Sequence, residues 1–210
     1  FGGAEDYDLD KLAESLGKPF YLLSPSLDIK RYASCRGTHQ AIDAILGLMK
    51  EHHFSYQDVA DIQCGVHPLT AVANSNPTSP LEAKFSVQYC LSTALLEGQV
   101  GLEQFDNEKV NNPEVRKIME KVNVYLHPDL DESQLVSSMI KVRLAGGQEY
   151  TKLVDKERGS LSTLSWEDIT TKFVSCASLA LPARQINSLI EMIESMEDIE
   201  NIGGLVDLAT

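Results

Sequence analysis

The chain has 210 residues, 43% of them hydrophobic, enough to bury a real core and to form one or two domains. Its 18 basic against 31 acidic residues give a formal charge of −13, which argues against nucleic acid or an anionic membrane as main partner. No apolar run is long enough to span a bilayer, no signal-peptide pattern occurs, and Cys35, Cys64, Cys90 and Cys176 show neither CxxC nor metal-type spacing; reduced, mostly buried thiols of a cytoplasmic protein are expected.

The chain opens on Phe1 without methionine and reads as a fragment or processed chain. Leu9, Leu12, Ala13 and Leu16 recur at helical spacing up to Gly17, with Pro19 beyond, which predicts a helix and its stop. "PFYLL" (19–23) is a short apolar run and reads as a strand. Ala41, Ile42, Ile45, Leu46 and Met49 form the apolar stripe of a second helix, with Gly37 or Thr38 at its start. From Val59 to His67, Ile62, Cys64 and Val66 alternate onto one face of a half-buried strand.

A loop rich in Asn, Ser, Thr and Pro follows His67 and leads to one predicted helix from Pro80 to Gly98. Phe85, Val87, Tyr89, Leu91, Leu95 and Leu96 make that helix apolar around much of its girth, so it is expected to be buried. Asn112-Pro113 starts a helix through Lys121, and 122–127 reads as a strand. Ile140, Val142 and Leu144, the Gly146-Gly147 turn, then Tyr150, Leu153 and Val154 spell a hairpin. From Ser165 the period is helical: Ser165 and Asp168 make a capping-box pair, and Ile186, Leu189, Ile190, Ile193 and Met196 stripe a last helix. The fold class is therefore α+β, a mixed strand-and-helix unit followed by helices that cannot bury their own apolar faces.

Against the acidic background, Lys30, Arg31, Arg36 and His39 gather just ahead of a helix start, beside Cys35. Such a cluster suits a carboxylate or phosphate. Arg36 offers a planar fork and Lys30 a point charge, Gly37 admits close approach, and the helix start adds N–H donors. A solvated basic loop paired with nearby acids fits the same pattern. Cations and a helix start would also lower the pKa of Cys35, although no partnered base is in view. His52 and His53 sit where histidines satisfy helix-end carbonyls, and His67 enters the polar loop as a candidate site rim. The chain has no Gly-rich phosphate loop, HExxH, GxSxG or paired-aspartate motif.

Three stretches in order, "IKRYASCRGTHQAIDAI", "NPTSPLEAKFSVQYCLSTALLEGQVGLEQF" and "MIKVRLAGGQEYTKLVDKERGSLSTLSWEDITTKF", resemble the C-terminal portion of the MmgE/PrpD family, which includes the 2-methylcitrate dehydratase type. The likeness covers nearly the whole chain. It implies a crossover segment at 1–27, a small α+β lid domain at 28–160, and C-terminal helices at 161–210 that pack on a large helical domain not found in these residues.

The resemblance further implies a cofactor-independent, metal-free lyase or isomerase. Dehydration, decarboxylation or epimerisation of a citrate-like di- or tricarboxylic acid would take place in the cleft between lid and helical domain, in a cytoplasmic homodimer. By position it marks Lys30 and His39 as catalytic and Arg36, Cys35 and Tyr89 as substrate-binding, with no metal ligands. Ala33 stands where the family often has proline, and Cys35 where the decarboxylase branch has histidine. The remaining catalytic groups belong to the helical domain, so the isolated chain is expected to be inactive. A different reading of the same residues is a stand-alone α+β anion-binding or oligomerisation module without catalysis.

Overall fold

Alternation along the strands decides which side chains meet. In the computed structural model, which describes residues 29–67, 76–130, 137–155 and 164–210 together with Leu16, Gly17 and Phe20, Ile62, Cys64 and Val66 lie on one face of β1 (Val59–Val66) and are fully buried. β1 pairs in parallel with β2 (Val122–Leu126) and antiparallel with β3 (Ser138–Leu144), which forms the predicted hairpin with β4 (Glu149–Val154). The sheet order is β2–β1–β3–β4. Register places Ile62 between Val122 and Val142, and Cys64 between Val124 and Ile140, so the inner face is continuously apolar. Gly147 supplies the positive φ of 87° that the hairpin turn requires.

The opposite face is polar. Asn123 donates to Gln63 at 2.7 Å, Lys141 pairs with Glu149 at 2.8 Å, and Arg143 pairs with Asp61. This division gives a direct test. Ile62→Ala should lower stability by about 2–5 kcal/mol through lost burial and a residual cavity, whereas Gln63→Ala, one residue along, should change it by less than about 0.5 kcal/mol. Urea unfolding of both variants checks it; equal losses would refute the assigned faces.

Helices cover the apolar face. α1 (His39–His52) packs on β3 and β4 and ends at His53, whose left-handed φ of 54° lets its N–H return to the Met49 carbonyl at 2.9 Å. His52 instead stacks on Tyr150, with ring centroids 3.7 Å apart. The single helix expected from Pro80 to Gly98 is two: α2 (Pro80–Ala83) and α3 (Val87–Glu97). Ser79 and Glu82 cap the first reciprocally. Extended backbone at Ser86, whose hydroxyl accepts the Tyr89 N–H at 3.2 Å, restarts the chain as α3.

The break swings the first turn outward. Phe85, expected in the core, is 51% exposed, while Tyr89 and Leu91 beyond it are fully buried. α3 packs on α1, on β2 and, beyond the short α4 (Asn107–Val110), on α5 (Pro113–Met119), which Asn112 caps at 2.8 Å.

The C-terminal helices are α6 (Trp166–Ala177), α7 (Ala183–Glu194) and α8 (Gly203–Leu208), the last not predicted. Ser165 and Asp168 form the predicted capping box. α6 buries no residue, and α7 buries only Ile186 and Leu189. Met196 leaves the predicted stripe in a 3-10 turn and is 46% exposed. Cys64 and Cys90 are buried as expected, but Cys35 is half-buried and Cys176 exposed. The helix read at 9–16, the strand at 19–23 and part of the loop after His67 lie outside the described residues. Among the described residues, no helix is long and apolar enough to cross a membrane.

Candidate functional site

The segment 29–38 folds by catching its own carbonyls. The Lys30 ammonium donates to the Ser34 carbonyl at 3.3 Å, and the Thr38 hydroxyl donates to the Cys35 carbonyl at 2.8 Å. The Ser34 and Thr38 hydroxyls are 2.7 Å apart and share a hydrogen bond. Two bonds tie this folded segment to α1 and to the end of α2. Tyr32, buried, donates its hydroxyl to Asp43 of α1 at 2.7 Å, and the Cys35 N–H donates to the Lys84 carbonyl at 2.7 Å. That second acceptor sits at the break between α2 and α3, so the interruption that overturns the one-helix expectation also anchors the segment.

A cavity of about 990 Å³ opens between this segment, the 81–85 turn, the 98–102 loop and α6. Lys30, Arg31, Lys84 and Lys172 line it, with Glu167 and Asp168 as the acids. Leu81, Phe85 and Leu102 give it an apolar wall. Arg31 is already paired with Asp168 at 3.5 Å. Lys84 rests over the Phe105 ring, 5.8 Å from its centroid, a geometry in which the ring face favours the cation.

The five residues marked from sequence divide here. Lys30 and Cys35 line the cavity. Arg36 is half-buried in a one-turn 3-10 helix (Arg36–Thr38) outside the lining. His39 opens α1 behind the wall, 7% exposed, with its ring edge-on to Tyr32 at 5.2 Å. Burial pushes its imidazole down to about 4, and the nearby charges of Lys30, Arg36 and Lys172 add to this, while a bond to the Ser34 backbone opposes it. Its Nε2 has no hydrogen-bond partner among the described residues. Uncharged at neutral pH, His39 is an acceptor at Nε2 and a weak base.

Tyr89, expected to line the cleft, is instead fully buried between α3 and the Leu102–Phe105 turn, its hydroxyl donating to the Gln104 carbonyl. Burial pushes its phenol up to about 12. α3 is buried around its girth, without a break from residue 89 to 95, so Tyr89 is enclosed like its neighbours. The Cys64 and Cys90 thiols are likewise pushed up to about 12 by burial, as inert core sulfurs. Among the described residues, no three His, Cys, Asp or Glu side chains gather as a metal-ion site.

Sequence reading missed Lys84 and Lys172. A signal for Lys172 exists in Asp168, Ile169, Lys172, Ser175 and Cys176, whose intervals of three and four put them on one face of α6. All five line the cavity.

Known proteins match the sequence over most of the chain. The cis-aconitate decarboxylase of Mus musculus is 29% identical over 203 residues, covering 92% of this chain and 42% of its own length. That of Homo sapiens is 29% identical over 206 residues, covering 94% and 43%. The chain thus spans less than half the length of these curated relatives. The family model for the MmgE/PrpD C-terminal domain matches residues 32–198, from the Tyr32 segment through the C-terminal helices, and by that match the chain belongs to the MmgE/PrpD family.

Proposed function

We propose that the full-length protein carrying this chain is a cofactor-independent lyase or isomerase acting on a citrate-like di- or tricarboxylic acid, and that these residues supply cations for its carboxylates. One observation carries the reading. Lys30, Lys84 and Lys172, from three separate elements, border one cavity in a protein of net charge −13. Opposing the protein's own field, such a gathering suits a small polyanion. The similarity to cis-aconitate decarboxylases supports the same substrate class.

In this reading a base removes a proton beside a carboxylate, and the charge that builds on the resulting enolate-like state is met by the cavity cations, Lys30 first. Water or carbon dioxide then leaves, or the carbon is reprotonated. The base comes from outside these residues, because His39, pushed down to about 4 by burial, is a weak base and lies behind the wall. His39 and Arg36 act from that position, His39 as support for the Ser34 carbonyl and Arg36 as a source of positive field. Cys35 borders the substrate. Tyr89 holds the wall behind it.

Residues 28–160 form the lid, and the helices of 161–210 belong with a helical body. The exposed Trp166, Val174 and Val206 support that division, since apolar side chains exposed on helices call for a covering surface. A homodimer, a cytoplasmic setting and catalysis without a metal belong to the same reading.

The test is turnover of citrate, 2-methylcitrate and cis-aconitate by the full-length protein, followed as loss of water or carbon dioxide or as isomer exchange. Full-length protein should turn over at least one of these acids and the isolated 210-residue chain none. Binding without turnover by the full-length protein would instead favour an anion-binding module. Within the site, Lys30→Met should reduce kcat/KM more than Arg36→Ala, because only Lys30 borders the cavity. The reverse order would move the substrate to the other side of the segment.

A further inference from the structure

α6 meets the cavity with one face and holds the cation segment at two consecutive residues. Asp168 Oδ1 pairs with Arg31 at 3.5 Å. Its other oxygen, Oδ2, accepts from the N–H and hydroxyl of Ser165 at 3.0 and 2.8 Å, so the carboxylate that caps the helix also grips the segment. One turn later, the Lys172 ammonium donates to the Lys30 carbonyl, joining residues 142 positions apart. The two contacts hold the segment from which the Lys30 side chain departs, one at the Lys30 carbonyl and one at the Arg31 side chain.

Packing does not explain this attachment, since α6 buries none of its residues. Nor does global stability, because polar pairs that are about one-third exposed, as Arg31 and Asp168 are, contribute little to folding. What the contacts do determine is direction. Among the described residues, Lys30 Nζ donates to a neutral carbonyl, Ser34 O, at 3.3 Å, and Lys172 Nζ rests on the Lys30 carbonyl. A carboxylate is the stronger partner for an ammonium group, so Lys30 is poised for exchange onto an arriving anion while Lys172 keeps its backbone partner. Lys172 also stands close enough for its charge to be felt at His39, on the far side of the segment.

We infer that Asp168 and Lys172 are positioning residues: Lys172 at the Lys30 carbonyl and Asp168 at the Arg31 guanidinium together clasp the 30–31 segment and so aim the Lys30 ammonium into the cavity. The inference rests on the polycarboxylate reading for its purpose, though not for its geometry. Two measurements on the full-length protein test it, with Lys172→Met, Lys172→Arg, Lys30→Met, the Lys30→Met/Lys172→Met double variant, and Arg31→Gln, which opens the ion pair and leaves the helix cap intact.

The first measurement needs no ligand. Hydrogen exchange of the peptide over 29–36, which contains the Ala33 and Cys35 amides bonded to the Val100 and Lys84 carbonyls, should quicken about tenfold in Lys172→Met and in Arg31→Gln and stay near wild type in Lys172→Arg. Unchanged exchange in Lys172→Met overturns the clasp.

The second is calorimetric binding of cis-aconitate and citrate. Lys172→Met should weaken binding about tenfold, Lys172→Arg should restore most of it, and the double variant should be no weaker than Lys30→Met alone. Losses that multiply in the double variant mean that Lys172 acts independently of Lys30, and overturn the inference. If exchange responds as expected while the wild type binds neither acid, the clasp stands and the polycarboxylate reading falls.

Discussion

Replacing Lys30 by methionine in the full-length protein is expected to lower kcat/KM on its polycarboxylate by about 10²- to 10³-fold. Lys30 borders the cavity on a segment held by Lys172, Tyr32 and Cys35, so its ammonium is preorganised and little rearrangement is needed when charge develops on the substrate. Methionine keeps most of the length and apolar stem while removing the charge, so the loss reports electrostatics and not packing. Most of the fall should be in kcat if Lys30 serves the enolate-like state, and in KM if it holds a carboxylate that does not react. A kcat/KM unchanged from wild type would show that the cluster is a solvated face.

The second large effect is on acid stability, and His39 sets its sign. Burial lowers the imidazole from 6.5 to about 4 in the folded protein. Between those values the unfolded chain holds a proton that the folded chain does not, so stability is complete above about pH 6.5 and is lost as pH falls through the window. A shift of that size amounts to about 3 kcal/mol at the acid end, at 1.36 kcal/mol per pH unit. His39→Gln keeps a donor for the Ser34 carbonyl but cannot titrate. Urea midpoints at pH 7.0 and 4.5 should therefore fall less in His39→Gln than in wild type, the difference isolating His39 from the carboxylates that titrate in both. Parallel declines in the two proteins would mean that His39 is solvated and free to protonate.

Both effects come from one short segment whose importance was visible early, though not its arrangement. "IKRYASCRGTHQ" stands out by charge, and its resemblance to family members points at Lys30, Arg36 and His39. Charge density does not say which of these faces a cavity. Lys30 does, while Arg36, on the turn that enters α1, and His39, the first residue of α1, lie outside its lining. Tyr89 shows the same limit. Its place in an apolar helix is legible and the pattern predicts its burial, but which residues of that helix border the cavity is set by the packing of neighbouring elements around all of α3.

The features that sequence alone determined are local ones. The alternation of Ile62, Cys64 and Val66, the Gly146-Gly147 turn and the Ser165–Asp168 cap each depend on residues a few positions apart, and each is where the pattern puts it. Side-chain period and capping chemistry act within a turn or a strand, so they survive whatever the rest of the chain does. The tertiary structure decided the convergence. Lys84 enters the site because α2 and α3 part at Ser86, and Lys172 because α6 crosses back to the 29–38 segment. No local rule brings an ammonium on one helix to a carbonyl 142 residues earlier; only the packing that closes the cavity does.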